Sequence, residues 1–130
     1  KRRIRTMQTD IEIYVLSCPT EKIINWLEST FTLVKKSAPS SLCSKVTVIM
    51  NDHDVEVTIL EQAAGKRFTS IWFNSDQTPW ENDIACAKQA FNALNCEVRC
   101  NFQGWEEEGE QDPDQWWRIN SHEEGPFIWN

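Results

Sequence analysis

The chain has 130 residues and a formal net charge of −7, with 40% hydrophobic and 11% aromatic residues. This length predicts one domain with its own core, and this composition excludes a disordered chain. The negative charge disfavours nucleic acid and anionic membranes as partners, and no apolar run reaches the roughly 18 residues of a membrane-spanning helix.

The N-terminal ten residues form a basic extension ahead of a domain at residues 11–130. K-R-R-I-R at residues 1–5 is followed by polar residues, where a secretory signal would have an apolar segment. The five cysteines are odd in number and lack the spacing of a disulfide framework: Cys18, Cys43, Cys86, Cys96 and Cys100. Both features predict a cytoplasmic protein with free thiols.

The first predicted elements are a strand and a helix. Residues 11–17 alternate between apolar and polar side chains, as a half-buried strand does. A helix begins near Pro19, with a buried stripe of Ile23, Trp26, Leu27, Thr30 and Phe31. Residues 31–36 are either a short strand or the frayed helix end, and A-P-S-S at 38–41 is predicted as a loop.

The middle of the chain predicts a β-hairpin and a further strand. Residues 45–51 and 55–61 have strand composition, and N-D-H-D at 51–54 supplies turn-forming Asn and Asp between them. A-A-G-K at 63–66 is the next turn, and residues 67–75 form the next strand.

The clearest helix pattern covers residues 78–95. Thr78 and Glu81 have the spacing of a capping box, and Pro79 occupies the first helical position. The apolar stripe consists of Trp80, Ile84, Ala87, Phe91 and Leu94. Asn95 is a residue type that ends helices in the left-handed conformation.

The C-terminal part predicts three more strands around a long loop. Residues 96–102 alternate as a strand, residues 104–115 form the loop, and residues 116–120 and 127–130 form a closing hairpin. The fold class is therefore α+β: an antiparallel or mixed sheet of about six to eight strands with two helices on one face.

Two stretches of the sequence resemble each other. I-Y-V-L-S-C-P-T-E at 13–21 and I-W-F-N-S-D-Q-T-P-W-E at 71–81 both have the order strand, Ser, Pro, Glu and helix. A β-α-β-β pseudo-repeat explains this likeness, and so does the ordinary composition of strand-to-helix turns.

Residues with catalytic or metal-binding chemistry are few. Asp52, His53 and Asp54 are adjacent, but consecutive turn residues rarely converge on one ion. A zinc site from Cys86, Cys96, Cys100 and His122 is the alternative to buried core thiols. Cys18 at a helix start is a candidate nucleophile, with an inert thiol as the alternative. We predict that the chain is not an enzyme and has no cofactor or metal.

The most unusual feature is an acidic, tryptophan-rich C-terminal segment. Eight carboxylates lie between residues 106 and 124, where Arg118 is the only Lys or Arg. Tryptophan is enriched at binding hot spots, and acidic patches attract basic partners. The predicted partner-binding residues are Trp105, Glu106, Glu107, Glu108, Asp112, Asp114, Trp116 and Trp117. Alternatively, the tryptophans pack the hairpin onto the sheet and the acids form a solvated loop.

These patterns predict a small acidic cytoplasmic binding or inhibitor protein with a basic protein partner. Intracellular antitoxins and immunity proteins are a class with these properties. The alternative is a small-molecule-binding domain with a Trp-lined cleft closed by Glu107 or Glu108, and an enzyme using His53 or a cysteine is the third hypothesis. A Trp-lined pocket with one buried carboxylate would favour the second hypothesis, and a flat acidic surface the first.

Overall fold

The computed structural model describes residues 10–101 and 115–129, which form eight strands and two helices. The strands are β1 (Ile11–Leu16), β2 (Thr32–Ser40), β3 (Cys43–Met50), β4 (His53–Leu60), β5 (Phe68–Phe73), β6 (Val98–Asn101), β7 (Gln115–Ile119) and β8 (Glu124–Ile128). The helices are α1 (Thr20–Thr30) after β1 and α2 (Asp83–Leu94) after β5. Neither described helix is long and apolar enough to cross a membrane.

The described strands form one antiparallel sheet in the order β2-β3-β4-β5-β1-β6-β7-β8. β1 lies in the interior of the sheet, paired with β5 on one side and with β6 on the other. Ile13 of β1 lies directly opposite Ile71 of β5. The predicted α+β class and strand number are confirmed, and the sheet is antiparallel.

The core follows from the alternation that the strands show in sequence. On β1, Ile11, Ile13 and Val15 are fully buried, whereas the residues between them are only half-buried. Both helices add buried side chains to the same core cluster: Ile23, Trp26 and Leu27 from α1, and Cys86, Ala87, Ala90 and Leu94 from α2. We call the sheet side that carries Ile13 the core side and the opposite side the outer face.

Strand β2 confirms the short strand that was one alternative for residues 31–36 and corrects the loop predicted at 38–41. It is nine residues long and includes Ala38 and Pro39, which were predicted as loop. Pro39 is tolerated because β2 is an edge strand, and its pairing with β3 is irregular between Ser37 and Ser40. The prediction was wrong because nearly all of β2 is exposed, so its sequence lacks the apolar alternation of a buried strand.

The turn between β3 and β4 is shorter than predicted. Asn51 and Asp52 have φ angles of 50° and 66°. Two consecutive left-handed residues are what a two-residue type I′ hairpin requires, and Asn and Asp tolerate that conformation. His53 and Asp54 already belong to β4, where His53 pairs with Met50.

Helix α2 begins later than predicted. Its N-cap is Asn82, whose side chain accepts a hydrogen bond of 2.9 Å from the backbone N–H of Ala85. Thr78 and Pro79 precede the helix, so the predicted capping box does not form. Asn caps helices at least as well as Thr, and the local pattern contained both. Asn95 ends the helix with φ 56° and ψ 39°, as predicted.

The buried stripe of α2 also differs from the prediction. Its buried residues are Cys86, Ala87, Ala90 and Leu94. Ile84 and Phe91 are only half-buried at the margin of the core. Trp80 is buried ahead of the helix, and its indole N–H donates a 2.9 Å hydrogen bond to Gln89. The face that packs on the core is rotated from the predicted stripe towards Cys86 and Ala90.

Candidate functional site

Most of the predicted partner-binding residues lie outside the described part of the chain. These are Trp105, Glu106, Glu107, Glu108, Asp112 and Asp114. Trp116 and Trp117 are described, and both are half-buried on β7.

Trp116 and Trp117 lie on opposite sides of the sheet, as strand alternation predicts. Trp117 pairs with Cys100 across the sheet and packs against the core. Its indole N–H donates a 3.1 Å hydrogen bond to the carboxylate of Glu124. Trp116 instead lies on the outer face, in contact with Tyr14. One of the two tryptophans is therefore available for a role beyond core packing.

Three aromatic rings meet edge to face on the outer face: Tyr14, Trp116 and Trp129, which we call the aromatic cluster. The Tyr14 and Trp116 centroids are 5.6 Å apart at 77°, and those of Tyr14 and Trp129 are 5.8 Å apart at 90°. The two indoles are 5.0 Å apart at 71°. This is a preferred arrangement of aromatic pairs, because the positive edge of one ring meets the negative face of another.

A pocket of about 260 Å³ lies beside the aromatic cluster. The described residues that line it are Tyr14, Ala64, Trp116 and Trp129. Ala64 comes from the segment between β4 and β5, and its methyl side chain leaves that side of the pocket unfilled. The pocket has the tryptophan lining expected of a ligand cleft, but none of these four side chains is a carboxylate.

The guanidinium group of Arg99 lies against several aromatic rings of the outer face. Its Cζ atom is 4.5 to 4.9 Å from three ring centroids, those of Trp129, Phe68 and Phe127. These distances are typical of cation–π contacts. Arg99 also forms a 2.8 Å ion pair with Glu97, and the side chains of both are 16% exposed. The positive charge of Arg99 is therefore matched locally.

Arg118 is held in a similar way. Its Cζ atom is 4.5 Å from the centroid of Phe127, and its guanidinium forms a 2.8 Å ion pair with Glu123. Each of these two arginines thus has a glutamate partner. Both guanidinium groups contact aromatic rings of the C-terminal hairpin, and a nearby carboxylate offsets each charge.

Glu12 and Tyr14 are neighbours on the outer face of β1. The carboxylate of Glu12 accepts a 2.6 Å hydrogen bond from the hydroxyl of Ser70. Burial raises the pKa of Tyr14 above its ordinary value, and the charge of Glu12 and a hydrogen bond to Glu12 raise it further. Tyr14 therefore stays a neutral phenol at physiological pH and donates its proton towards Glu12.

Two larger pockets, of about 420 Å³ each, lie elsewhere. Polar groups in the first are bonded to one another: Thr20 donates to Glu61 at 2.8 Å, and Arg67 donates to Ser17 at 3.2 Å. The second contains Cys96, Glu97 and His122. In it, the thiol of Cys96 donates to the carbonyl of Leu94 at 3.3 Å, whereas a catalytic thiol directs its proton to a base.

The cysteines do not form the predicted alternative zinc site. Among the described residues, which include Cys86, Cys96, Cys100 and His122, no three His, Cys, Asp or Glu side chains form a metal-binding group. All five thiols are free. Burial raises the pKa of Cys18 to about 12 and raises the pKa values of Cys86 and Cys100 well above the ordinary thiol range. These three thiols are therefore protonated at neutral pH, whereas a cysteine nucleophile reacts as its thiolate.

Three residues of this site were not predicted from the sequence: Tyr14, Ala64 and Arg99. Tyr14 and Arg99 alternate with buried residues on their strands, so the sequence places them on the outer face. Alternation does not indicate which residues of other strands they contact. Trp129 was not among the predicted partner-binding residues either. No protein-family model, curated protein or solved structure matches this chain.

Proposed function

We propose that this chain is a small acidic binding or inhibitor protein that engages a basic protein partner through its C-terminal surface. The observation that carries the proposal is the position of Trp116. Its ring lies on the outer face, away from the core, beside an open pocket and in contact with Tyr14 and Trp129. Tryptophans in such positions are frequent binding hot spots.

The distribution of charge supports a basic partner. Of the eight carboxylates between residues 106 and 124, six precede β7: Glu106, Glu107, Glu108, Glu110, Asp112 and Asp114. The last of them is two positions before Trp116. The acidic segment and the tryptophan anchor thus adjoin in the chain. Concentrated negative charge accelerates association with a basic protein.

The chemistry of the described residues supports a binding role rather than catalysis. Three of the five cysteines have thiols held protonated by burial, and His53 is exposed on a hairpin strand. Free thiols are typical of a reducing compartment, which supports the cytoplasm as the location. Small size, acidity and a carboxylate-rich C-terminal sequence agree with an antitoxin-like or immunity-like role.

A second candidate function is the binding of a small molecule in the Trp-lined pocket. The pocket of about 260 Å³ is the observation that favours it. This volume is at the lower end for ligand sites, and the described lining contains no carboxylate to orient a polar ligand. The protein partner therefore has the stronger support, and the pocket is best explained as part of its binding surface.

Two finer features of the fold belong to this proposal. We infer that both helices cover the core side, because α1 and α2 contribute to the same buried cluster as Ile13 and Ile71. This arrangement leaves the outer face for a partner. The β-α-β-β pseudo-repeat stays a prediction that rests on the two similar stretches of sequence.

The test is affinity capture from the native host with the full chain as bait. The expected result is a basic protein that is retained at low salt and released as ionic strength rises. Bait carrying Trp116→Ala should lose it, whereas bait carrying Trp72→Leu, a tryptophan that does not line the pocket, should keep it. Capture that is equally strong with both variants would contradict the proposed surface.

A further inference from the structure

The pocket beside the aromatic cluster indicates the chemistry of the group that it binds. That this group belongs to a protein partner rests on the proposed function. The rings of Tyr14, Trp116 and Trp129 meet at 71° to 90°, so they form walls facing different directions. The pocket volume of about 260 Å³ suits one end of a side chain better than a whole drug-sized ligand.

The electrostatics of these walls favour a cation. Ring faces carry negative charge density, and indoles are the strongest cation–π partners. The cluster already holds one cation, because the Cζ atom of Arg99 lies 4.5 Å from the centroid of Trp129. Glu97 offsets the charge of Arg99 at 2.8 Å, which lowers the repulsion towards a second cation. The carboxylate of Glu12, next to Tyr14 on the outer face, adds local negative charge.

The hydrogen-bonding groups of the walls select among cations. A primary ammonium has three N–H donors to satisfy, and a guanidinium has five. The two indoles are donors only, so the described side chains that line the pocket offer one acceptor oxygen, that of the Tyr14 hydroxyl, which cannot satisfy all the N–H donors of either group. None of the described lining residues offers a carboxylate. An ammonium whose hydrogens are replaced by methyl groups loses no hydrogen bonds on entering such a pocket.

We propose that the pocket formed by Tyr14, Trp116, Trp129 and Ala64 binds an N-methylated ammonium group, presented on a side chain of the basic partner. The group inserts between the rings, its methyl groups contact the aromatic faces, and its charge is balanced by the ring quadrupoles and by Glu12. Aromatic cages of this kind are the established means of recognising quaternary ammonium groups.

The first test uses choline and its uncharged isostere 3,3-dimethylbutan-1-ol as probes on the full chain. Indole N–H signals are followed by NMR during titration. The signals of Trp116 and Trp129 should shift in a saturable way with choline and stay in place with the alcohol. Those of Trp26 and Trp80, which are buried in the core, are internal controls. Equal responses to both probes, or no response to either, would overturn the proposal.

Variants test whether the pocket itself is responsible. Trp116→Leu should weaken choline binding by about threefold to thirtyfold, the range for loss of one cation–π partner. Ala64→Leu keeps all three rings but places a larger side chain in the pocket, so it should abolish choline binding. This variant tests the pocket independently of whether Trp116→Leu folds well. Trp72→Leu is the matched control and should bind choline normally. Unchanged binding by Ala64→Leu would overturn the assigned position.

The source of the group is tested with peptides. A short basic peptide containing trimethyllysine should bind more tightly than the same peptide with unmodified lysine, and more tightly than choline. If free choline binds as tightly as the peptide, the link to a protein partner is overturned and a small-molecule ligand is supported. If capture of the partner depends on Trp116 but choline does not bind, the ammonium inference is wrong and the proposed function stands.

Discussion

The indole ring of Trp116 meets the phenol ring of Tyr14 edge to face, with their centroids 5.6 Å apart. These residues lie on β7 and β1, which are separated in the sheet by β6. Arg99 of β6 pairs with Tyr14 on one side and with Arg118 on the other. Long side chains on the outer face therefore bridge three strands, β1, β6 and β7.

The acidic segment should control the rate of association with the partner. Reversing Glu106, Glu107 and Glu108 to Lys should lower the association rate constant by about tenfold or more, because electrostatic steering is lost. The free energy of unfolding should change little if these residues lie in the solvated loop that the sequence predicts, since such charges contribute little to stability. Surface plasmon resonance at two salt concentrations measures the rate constant, and urea denaturation measures stability.

The control for this prediction is an equal change of charge elsewhere. The exposed acids Glu28, Asp76 and Glu81, changed together to Lys, alter the net charge by the same amount away from β7. A clearly smaller effect on the association rate is expected. If both triple variants slow association equally, net charge alone is responsible and the acidic segment has no special position.

The outward tryptophan should control dissociation. Trp116→Ala should raise the dissociation rate constant of the captured partner, at a cost of about 2 kcal/mol or more in binding free energy if it is a hot spot. Trp117→Ala should instead mainly lower the free energy of unfolding, because that ring packs against the core. Kinetic and denaturation measurements on both variants separate the two roles. Partner dissociation unaffected by Trp116→Ala would move the site elsewhere.

The start of α2 can be located by removing its cap. Asn82→Ala should lower the free energy of unfolding by about 1 kcal/mol, because the N–H of Ala85 loses its side-chain acceptor. Thr78→Ala, the matched control at the position favoured by sequence, should cost clearly less. Urea denaturation compares the two. A larger loss at Thr78 would indicate that the helix begins where the capping box was predicted.

Leu94 and Phe91 should differ in their contributions to stability. Leu94 is 1% exposed, so Leu94→Ala should cost about 2–5 kcal/mol in unfolding free energy. Phe91 is half-buried, so Phe91→Ala should cost less than the roughly 3–5 kcal/mol of a fully buried phenylalanine. Denaturant midpoints at constant slope provide both values. A full-sized loss at Phe91 would place it in the core, as its sequence spacing suggested.

Stability should fall at alkaline pH because buried thiols resist ionisation. Burial raises the pKa of Cys18 from 9.0 to about 12, so the folded state holds this proton in a range where the unfolded state releases it. The contribution is complete below pH 9 and is lost as pH rises towards 12. The slope should be about 1.4 kcal/mol per pH unit for each such group.

Urea denaturation between pH 7 and 11, with reductant present, tests this dependence. Cys18→Ala should reduce the slope of the free energy of unfolding against alkaline pH by about 1.4 kcal/mol per pH unit, the contribution of one titrating proton. Val46→Ala is the control, because it creates a cavity in the core without removing a titrating group. An alkaline slope that is the same with and without Cys18 would show that its thiol ionises normally in the folded protein.

Sequence by itself determined the features that depend on neighbours along the chain. The alternation of Ile11, Ile13 and Val15 identified a strand and its buried side, and Asn95 marked the end of α2. The adjacency of Trp116 and Trp117 was sufficient to predict that they point apart. The strand features follow from a side-chain period of two residues, and the helix end follows from the chemistry of one cap residue. Both causes act over only a few positions along the chain.

Tertiary structure decided which strands are neighbours, and with that the composition of the candidate site. Only the placement of β1 beside β6, and of β7 beyond it, brings Tyr14 to Trp116 and Trp129. The strand order also places β2 at an exposed edge of the sheet. The sequence of β2 lacks the apolar alternation by which β1 was identified. Strand order follows from the burial of apolar surface summed over the whole chain, so no local pattern contains it. The aromatic pocket is a product of that non-local pairing.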